Sequence, residues 1–300
     1  MIMDPTIITL SSIPPRFAHL GPTLDSLLRQ TLPAEQIILY VPDRYRRFPD
    51  WDGTIPVLPD GVTLRRVATD YGPATKILPA LQDFAGQDVD ILFCDDDMLY
   101  DPGWHQRVKT LRDRHPKAAL CDVAHHLPGA INRPHPRMQR WSRDDLYKHR
   151  ASRSATTTDP PALIRRSGYA DVFEGWAGVM VRPQYFDDRV FNIPSDLWMV
   201  DDPWLSGHLA LRGVPIWTSA DSLPPKRRIH VQRDIAPLFF EIFDGKTRQD
   251  SEQACVNHYR ALGIWDDRPA PPVSQLRRLA RAALPHHFRA ALLRLFRRRP

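Results

Sequence analysis

Cysteine is scarce in this chain. Cys94, Cys121 and Cys255 are odd in number, widely spaced and without a CxxC pair. That spacing excludes a disulfide framework and a cysteine zinc site, and a reducing compartment is the simpler assumption. No apolar run reaches 18 residues, and the first residues carry neither a basic stretch nor a long apolar one. Neither a membrane-spanning helix nor a signal sequence is expected, which points to a cytoplasmic protein, soluble or held at the inner face of the plasma membrane. The net charge of +6 is not spread evenly: residues 273–300 hold eight arginines and no Asp, Glu or Lys, so the rest of the chain has a slight excess of acid. A nucleic-acid-binding core is not expected, and the basic end stands apart as an electrostatic device of its own.

What is present is organised around DVDILFCDDDMLYDPGW, residues 88–104. Val89, Ile91, Leu92 and Phe93 read as a buried strand that stops at three adjacent carboxylates, Asp95, Asp96 and Asp97. Three neighbouring anions repel one another, and in an open α/β sheet ligands bind outside the carboxyl ends of the strands. In extended geometry Asp95 and Asp97 project to one side with hard oxygens, which suits Mg²⁺ or Mn²⁺. A solvated acidic loop that caps the next helix accounts for the same residues, and residue types alone leave both readings open.

Around this stretch the pattern alternates strands and helices. Strands are expected over 6–10 and 36–41, with an amphipathic helix over 17–30 between them carrying Leu20, Leu24, Leu27 and Leu28. A third strand over 62–67 leads into TDYGPATK and a helix over 77–84, at whose start Lys76 either meets a phosphate or is a surface lysine after a turn. A helix over 102–115 and a strand over 118–123 follow. Residues 129–166 are rich in Pro, Arg, Ser and Thr, and read as a lid, a binding loop or a solvated segment; Arg133, Arg137, Arg140, Trp141 and Arg143 are its candidate contacts to an anionic or sugar acceptor. VFEGWAGVMVR, 172–182, contains the next strand. Asp201 and Asp202 then stand before a helix ended by Gly213, where capping is the ordinary role for one of the two.

Four pieces, in this order, resemble a nucleotide-sugar glycosyltransferase of the GT-A fold, family 2 type. They are the opening strand with SLLRQTLP and QIILYVP, then YGPATK, then DILFCDDDM in the place of the DXD motif, and GWAGVMV followed by DDPWLSGHLALRG in the place of the ED-type motif. The resemblance covers about residues 5–232 and implies an α/β, Rossmann-like fold with a mainly parallel central sheet flanked by helices. It implies a domain over 1–235, a C-terminal extension over 236–272 and the Arg-rich amphipathic tail over 273–300.

The resemblance also implies roles. Asp95 and Asp97 would hold Mn²⁺ or Mg²⁺, with Asp95 or Asp96 nearer the ribose, and His230 would add a C-terminal metal ligand. Ser11 and Arg16 would border the nucleotide, with Lys76 on a phosphate. Asp202 would be the general base, Asp201 standing where the commoner Glu is found; Trp176 and Gly178 would line the acceptor side. The partners implied are a nucleotide-diphosphate sugar donor and a saccharide or glycolipid acceptor; the family 2 type implies inversion at the transferred carbon, while the DDD triplet also resembles retaining exostosin-type transferases. The tail suits an anionic membrane surface, and no nucleic-acid partner is expected. A metal-dependent nucleotidyltransferase is the rival enzyme, although SSIPPRF after the first strand is not a Gly-rich phosphate loop. A non-catalytic carbohydrate or membrane adaptor of the same fold is the rival from another class.

Overall fold

The computed structural model describes residues 4–127 and 167–265. Its strands are β1 (Thr6–Ser11), β2 (Gln36–Pro42), β3 (Val62–Val67), β4 (Asp90–Phe93), β5 (Met98–Leu99), β6 (Ala119–Cys121), β7 (Ala124–His125), β8 (Gly168–Ala170), β9 (Val172–Phe173), β10 (Val179–Val181), β11 (Ile216–Thr218), β12 (Lys226–Arg227), β13 (Ile242–Phe243) and β14 (Lys246–Thr247). Among the described residues eight of these form one sheet in the order β3-β2-β1-β4-β10-β6-β11-β8. The pairs β2–β3, β1–β2, β1–β4 and β6–β11 are parallel, whereas β10 runs antiparallel to both neighbours and β8 to β11. The sheet is thus mainly parallel, as expected.

Both faces of the sheet are covered, which is why its strands read as unbroken apolar runs. Ile7, Ile38, Tyr40, Ile91 and Phe93 pack on one face, and Ile8, Leu10, Leu39, Val41 and Leu92 on the other. Successive residues alternate between two buried layers, as the two-residue period of a strand requires. Helices α1 (Gly21–Leu28), α2 (Leu78–Asp83), α3 (Trp104–Arg114) and α4 (Asp201–Leu211) lie against it, with α5 (Ile229–Asp234) and α6 (Arg248–Ala261) nearer the C-terminus.

Two expectations are corrected in detail. The single helix over 17–30 is instead a 3-10 turn, Pro14–His19, followed by α1, because Pro22 has no N–H to donate to the preceding turn and is tolerated only at a helix start. The strand expected after Gly175, Trp176 and Gly178 is β10, with a 3-10 turn, Gly175–Ala177, separating it from the short β9. The alternation argument fails for the triplet: β4 stops at Phe93, and Asp96 and Asp97 form a turn into β5. Residues 128–166 and 266–300, with the arginines and Trp141 of the first and the tail of the second, lie outside the described residues. No helix among the described residues is long and apolar enough to cross a membrane.

β1 has β2 on one side and β4 on the other, so the chain leaves it in two directions. A crevice opens at such a switch point, outside the carboxyl ends of the strands. The site lies there.

Candidate active site

Because Thr9 pairs with Phe93, the segments that follow β1 and β4 emerge side by side. The Ser12 hydroxyl donates to Asp96 Oδ2 at 2.5 Å, and Arg16 Nη1 donates to Asp96 Oδ1 at 2.9 Å and Asp97 Oδ2 at 3.0 Å. Gln232 Nε2, from α5, donates to Asp97 Oδ1 at 3.2 Å. Burial, reinforced by Asp96 and Asp95, pushes the Asp97 carboxyl up to about 7 despite Arg16. The triplet therefore remains short of positive charge even with Arg16 in place.

Lys76 closes the 3-10 turn Gly72–Lys76 ahead of α2 and is buried, not a surface residue. Its ammonium lies 2.5 Å from Asp95 Oδ1 and 2.9 Å from Asp201 Oδ2. Burial opposes that charge, but Asp201, Asp95 and Asp202 together hold its pKa well above the ordinary lysine value. One side chain thus joins the end of β4 to the start of α4.

Asp201 and Asp202 are the first two residues of α4, whose N-cap is Val200, and neither caps the helix. The capping role is therefore corrected. Burial would raise the Asp201 carboxyl, yet Lys76 and Arg248 hold it below the usual range. Asp202 goes the other way: burial and the adjoining Asp201 push it well above that range. Its Oδ1 accepts from the Gly175 N–H at 2.9 Å. A Cβ on Gly175 would come within 2.7 Å of that oxygen and 2.9 Å of Lys76 Nζ, so only glycine allows the approach.

Trp176, in the same turn, donates its indole N–H to Glu174 Oε2 at 3.1 Å and lies under the Arg227 guanidinium, 5.3 Å from the ring centroid. A cavity of about 480 Å³ brings these parts together. Ser11, Arg16, Asp95, Asp96 and Asp97 form one wall, Trp176, Asp201 and Asp202 another, with Lys76 between them.

Two candidates fall outside it. Gly178 does not line the cavity: at φ +100° it lies against Trp104, and a Cβ there would stand 2.3 Å from the indole. Its role is packing rather than acceptor contact. His230 is exposed at the start of α5, edge-on to His19 with ring centroids 6.0 Å apart, and does not reach the triplet's cavity. The helical turn that points Gln232 at Asp97 turns His230 away from it. Among the described residues no group of three or more His, Cys, Asp or Glu is gathered as a ready-made metal cage.

The cavity also contains residues that the motifs did not single out. Arg248, the first residue of α6, adds a cation from beyond residue 235; it bonds Glu252 Oε1 at 3.2 Å and the Met199 carbonyl at 3.4 Å. Its i,i+4 partner Glu252 marks only a helix; no local pattern places it in the cavity, because Met199 is 49 residues away in sequence. Ser12 and Glu174 sit inside quoted motifs, and only their neighbours in space reveal what they bond.

No family model matches the chain, and no curated protein matches it. Among solved structures it is similar to S. aureus TarS 1–349 in complex with UDP, with a TM-score of 0.44 at 13% identity, covering 86% of this chain and 72% of that one. The same fragment in complex with UDP-GlcNAc gives 0.44, 13%, 86% and 73%. A longer S. aureus TarS structure gives a TM-score of 0.43 with 43% of that chain covered. Likeness of this degree transfers no residue's role.

Proposed function

We propose that this protein is a glycosyltransferase that moves a sugar from a nucleoside diphosphate donor to a hydroxyl of a saccharide or glycolipid acceptor, with inversion. One observation carries the reading: the aspartate triplet at the end of β4 and the buried carboxylate Asp202 share one cavity. On the donor side, Ser11 and Arg16 border the nucleotide, and Arg16 offers a fixed positive charge to its phosphates. On the acceptor side, the Trp176 face takes a sugar ring, since an aromatic surface with a polar edge suits one.

The donor set fits a divalent cation. Asp95 and Asp97 are hard oxygen ligands of the kind Mg²⁺ or Mn²⁺ takes alongside water and phosphate, and a dication would offset both the burial and the neighbouring carboxylates that lift the Asp97 carboxyl. Bound there, such an ion supplies Lewis-acid neutralisation of the leaving diphosphate. Asp202 performs the proton step. As the acceptor O–H breaks, its proton passes to an Asp202 oxygen and the freed oxygen pair bonds the anomeric carbon. The bond from that carbon to the phosphate oxygen breaks, and its electron pair leaves with the nucleoside diphosphate. Burial and Asp201 make Asp202 a stronger base than an exposed aspartate, and a base so placed contributes about 10²- to 10⁴-fold. The arginines of residues 273–300 suit an anionic leaflet, where a glycolipid acceptor would be met.

The test is protection against thermal unfolding by a panel of nucleotide sugars with Mn²⁺, followed by turnover. Asp97→Ala is expected to lose both protection and turnover, and Asp202→Ala turnover alone. Protection without turnover in the unaltered protein would favour a non-catalytic carbohydrate-binding role, and protection by none of the panel would overturn the reading.

A further inference from the structure

We infer that Lys76 is a positioning residue for proton transfer and not a ligand of the donor phosphates: by pairing with Asp201 it leaves Asp202 as the carboxylate that receives the acceptor's proton. This rests on the glycosyl-transfer reading above and assigns the labour within it.

The two carboxylates that open α4 are both in the interior, Asp201 3% and Asp202 9% exposed. Adjacent buried anions cannot both go without a partner; Arg248 adds a positive field to both, and the Lys76 ammonium is the cation in contact with one of them. It lies 2.9 Å from Asp201, whereas Asp202 receives a neutral donor, the Gly175 N–H, at 2.9 Å. A carboxylate tied to a cation is a weakened base, and one held by an amide keeps more of its basicity. The division of roles that DD leaves undecided in the sequence is thus made by which of the two Lys76 reaches.

Lys76 is also held where it is. Its side chain is 5% exposed, its Nζ lies 5.9 Å from the Phe93 ring centroid, and the missing Cβ of Gly175 would stand 2.9 Å from Nζ and 3.3 Å from Cε. Reaching for a phosphate would mean leaving Asp95 at 2.5 Å and Asp201 together. Its bond to Asp95 gives a second consequence: the carboxylate nearest the donor and the pair nearest the acceptor hang on one nitrogen, which sets the spacing between the two halves of the site.

The experiment compares Lys76→Met with the double variant Lys76→Met/Asp201→Asn, in which the cation and its partner charge are removed together. UDP and GDP binding is measured by calorimetry with Mn²⁺, and initial rates are measured on whichever nucleotide sugar protects the unaltered protein. Lys76→Met is expected to lower kcat about 100-fold with the nucleotide Kd changed less than about threefold, and the double variant to regain about tenfold or more. A tenfold weaker Kd with kcat kept would make Lys76 a phosphate ligand and overturn the inference, as would a double variant no faster than the single one. If Lys76→Met does not fold, the double variant decides alone: kcat within about thirtyfold of the unaltered protein supports the role, and a greater loss overturns it. Failure of the unaltered protein to bind either nucleotide or turn over any nucleotide sugar is a different result, which removes the glycosyl-transfer reading and this role with it.

Discussion

The two ends of β4 treat buried carboxylates in opposite ways. At its start, the fully buried Asp90 is met by Lys109 Nζ at 2.7 Å, Arg112 Nε at 2.9 Å and Arg182 Nε at 3.0 Å. Burial alone would raise its pKa, but Arg112 and Lys109 lead the cations that hold it below the ordinary range. The spare donors have partners too: Arg112 reaches the Ala118 carbonyl at 2.6 Å and the Tyr185 hydroxyl at 3.0 Å, and Arg182 reaches Asp4 at 2.5 Å. Past its other end, five residues on from Asp90, the triplet begins, and it and the Asp201–Asp202 pair crowd around Arg16 and Lys76. The first network is complete within the protein and ties strand to helix. The second is short of positive charge, which is the condition of a site that expects a ligand.

Breaking the complete network should have the largest effect. Asp90→Ala leaves three cations without their carboxylate in the interior, and a loss of about 3 to 5 kcal/mol is expected in denaturant unfolding. The specific activity of the fraction still folded should not change, since Asp90 is remote from the cavity.

An intermediate effect is expected at Asp122, just past β6, whose carboxyl is shifted although it does not line the cavity. Burial pushes it up to about 7, with Arg107 and Ser222 opposing. A carboxyl raised in the folded state keeps its proton there at pH values where the unfolded chain has lost it. Its contribution to stability is therefore full below about pH 4 and is lost as pH rises through about 7. Asp122→Asn removes that slope, and should be more stable than the unaltered protein by about 2 kcal/mol at pH 8 with little difference at pH 4. Unfolding across that range checks it, and turnover should be unaffected.

The smallest effect is expected at the crowded end. Asp97→Asn relieves like-charge repulsion, so without divalent ions the variant should gain about 1 kcal/mol or lose nothing, in contrast to Asp90→Ala. A loss of several kcal/mol there would mean that Asp97 is a structural ion-pair partner of Arg16, and the contrast between the two ends would fail.

Much of this was legible in the residues. The runs TIITL, QIILYV and DILF became the central parallel strands because each buries both faces. The position of the triplet at a strand end followed from where its apolar run stops. His230 misled because its neighbourhood in sequence is right while its turn of helix faces outward. Gly178 misled because a glycine beside Trp176 reads as room for a ligand, when the space is taken by Trp104.

The layered α/β architecture can be read along the chain, since hydrophobic periodicity is a local property, and so can the collection of acidic groups at the carboxyl edge of the sheet. Which side chains meet there is fixed by the folded arrangement of distant segments. Lys76 lies 19 residues from Asp95 and 125 from Asp201, and Arg248 comes from another helix altogether. The pairing of a charge depends on distances across the fold and on burial, and neither is set by neighbours along the chain.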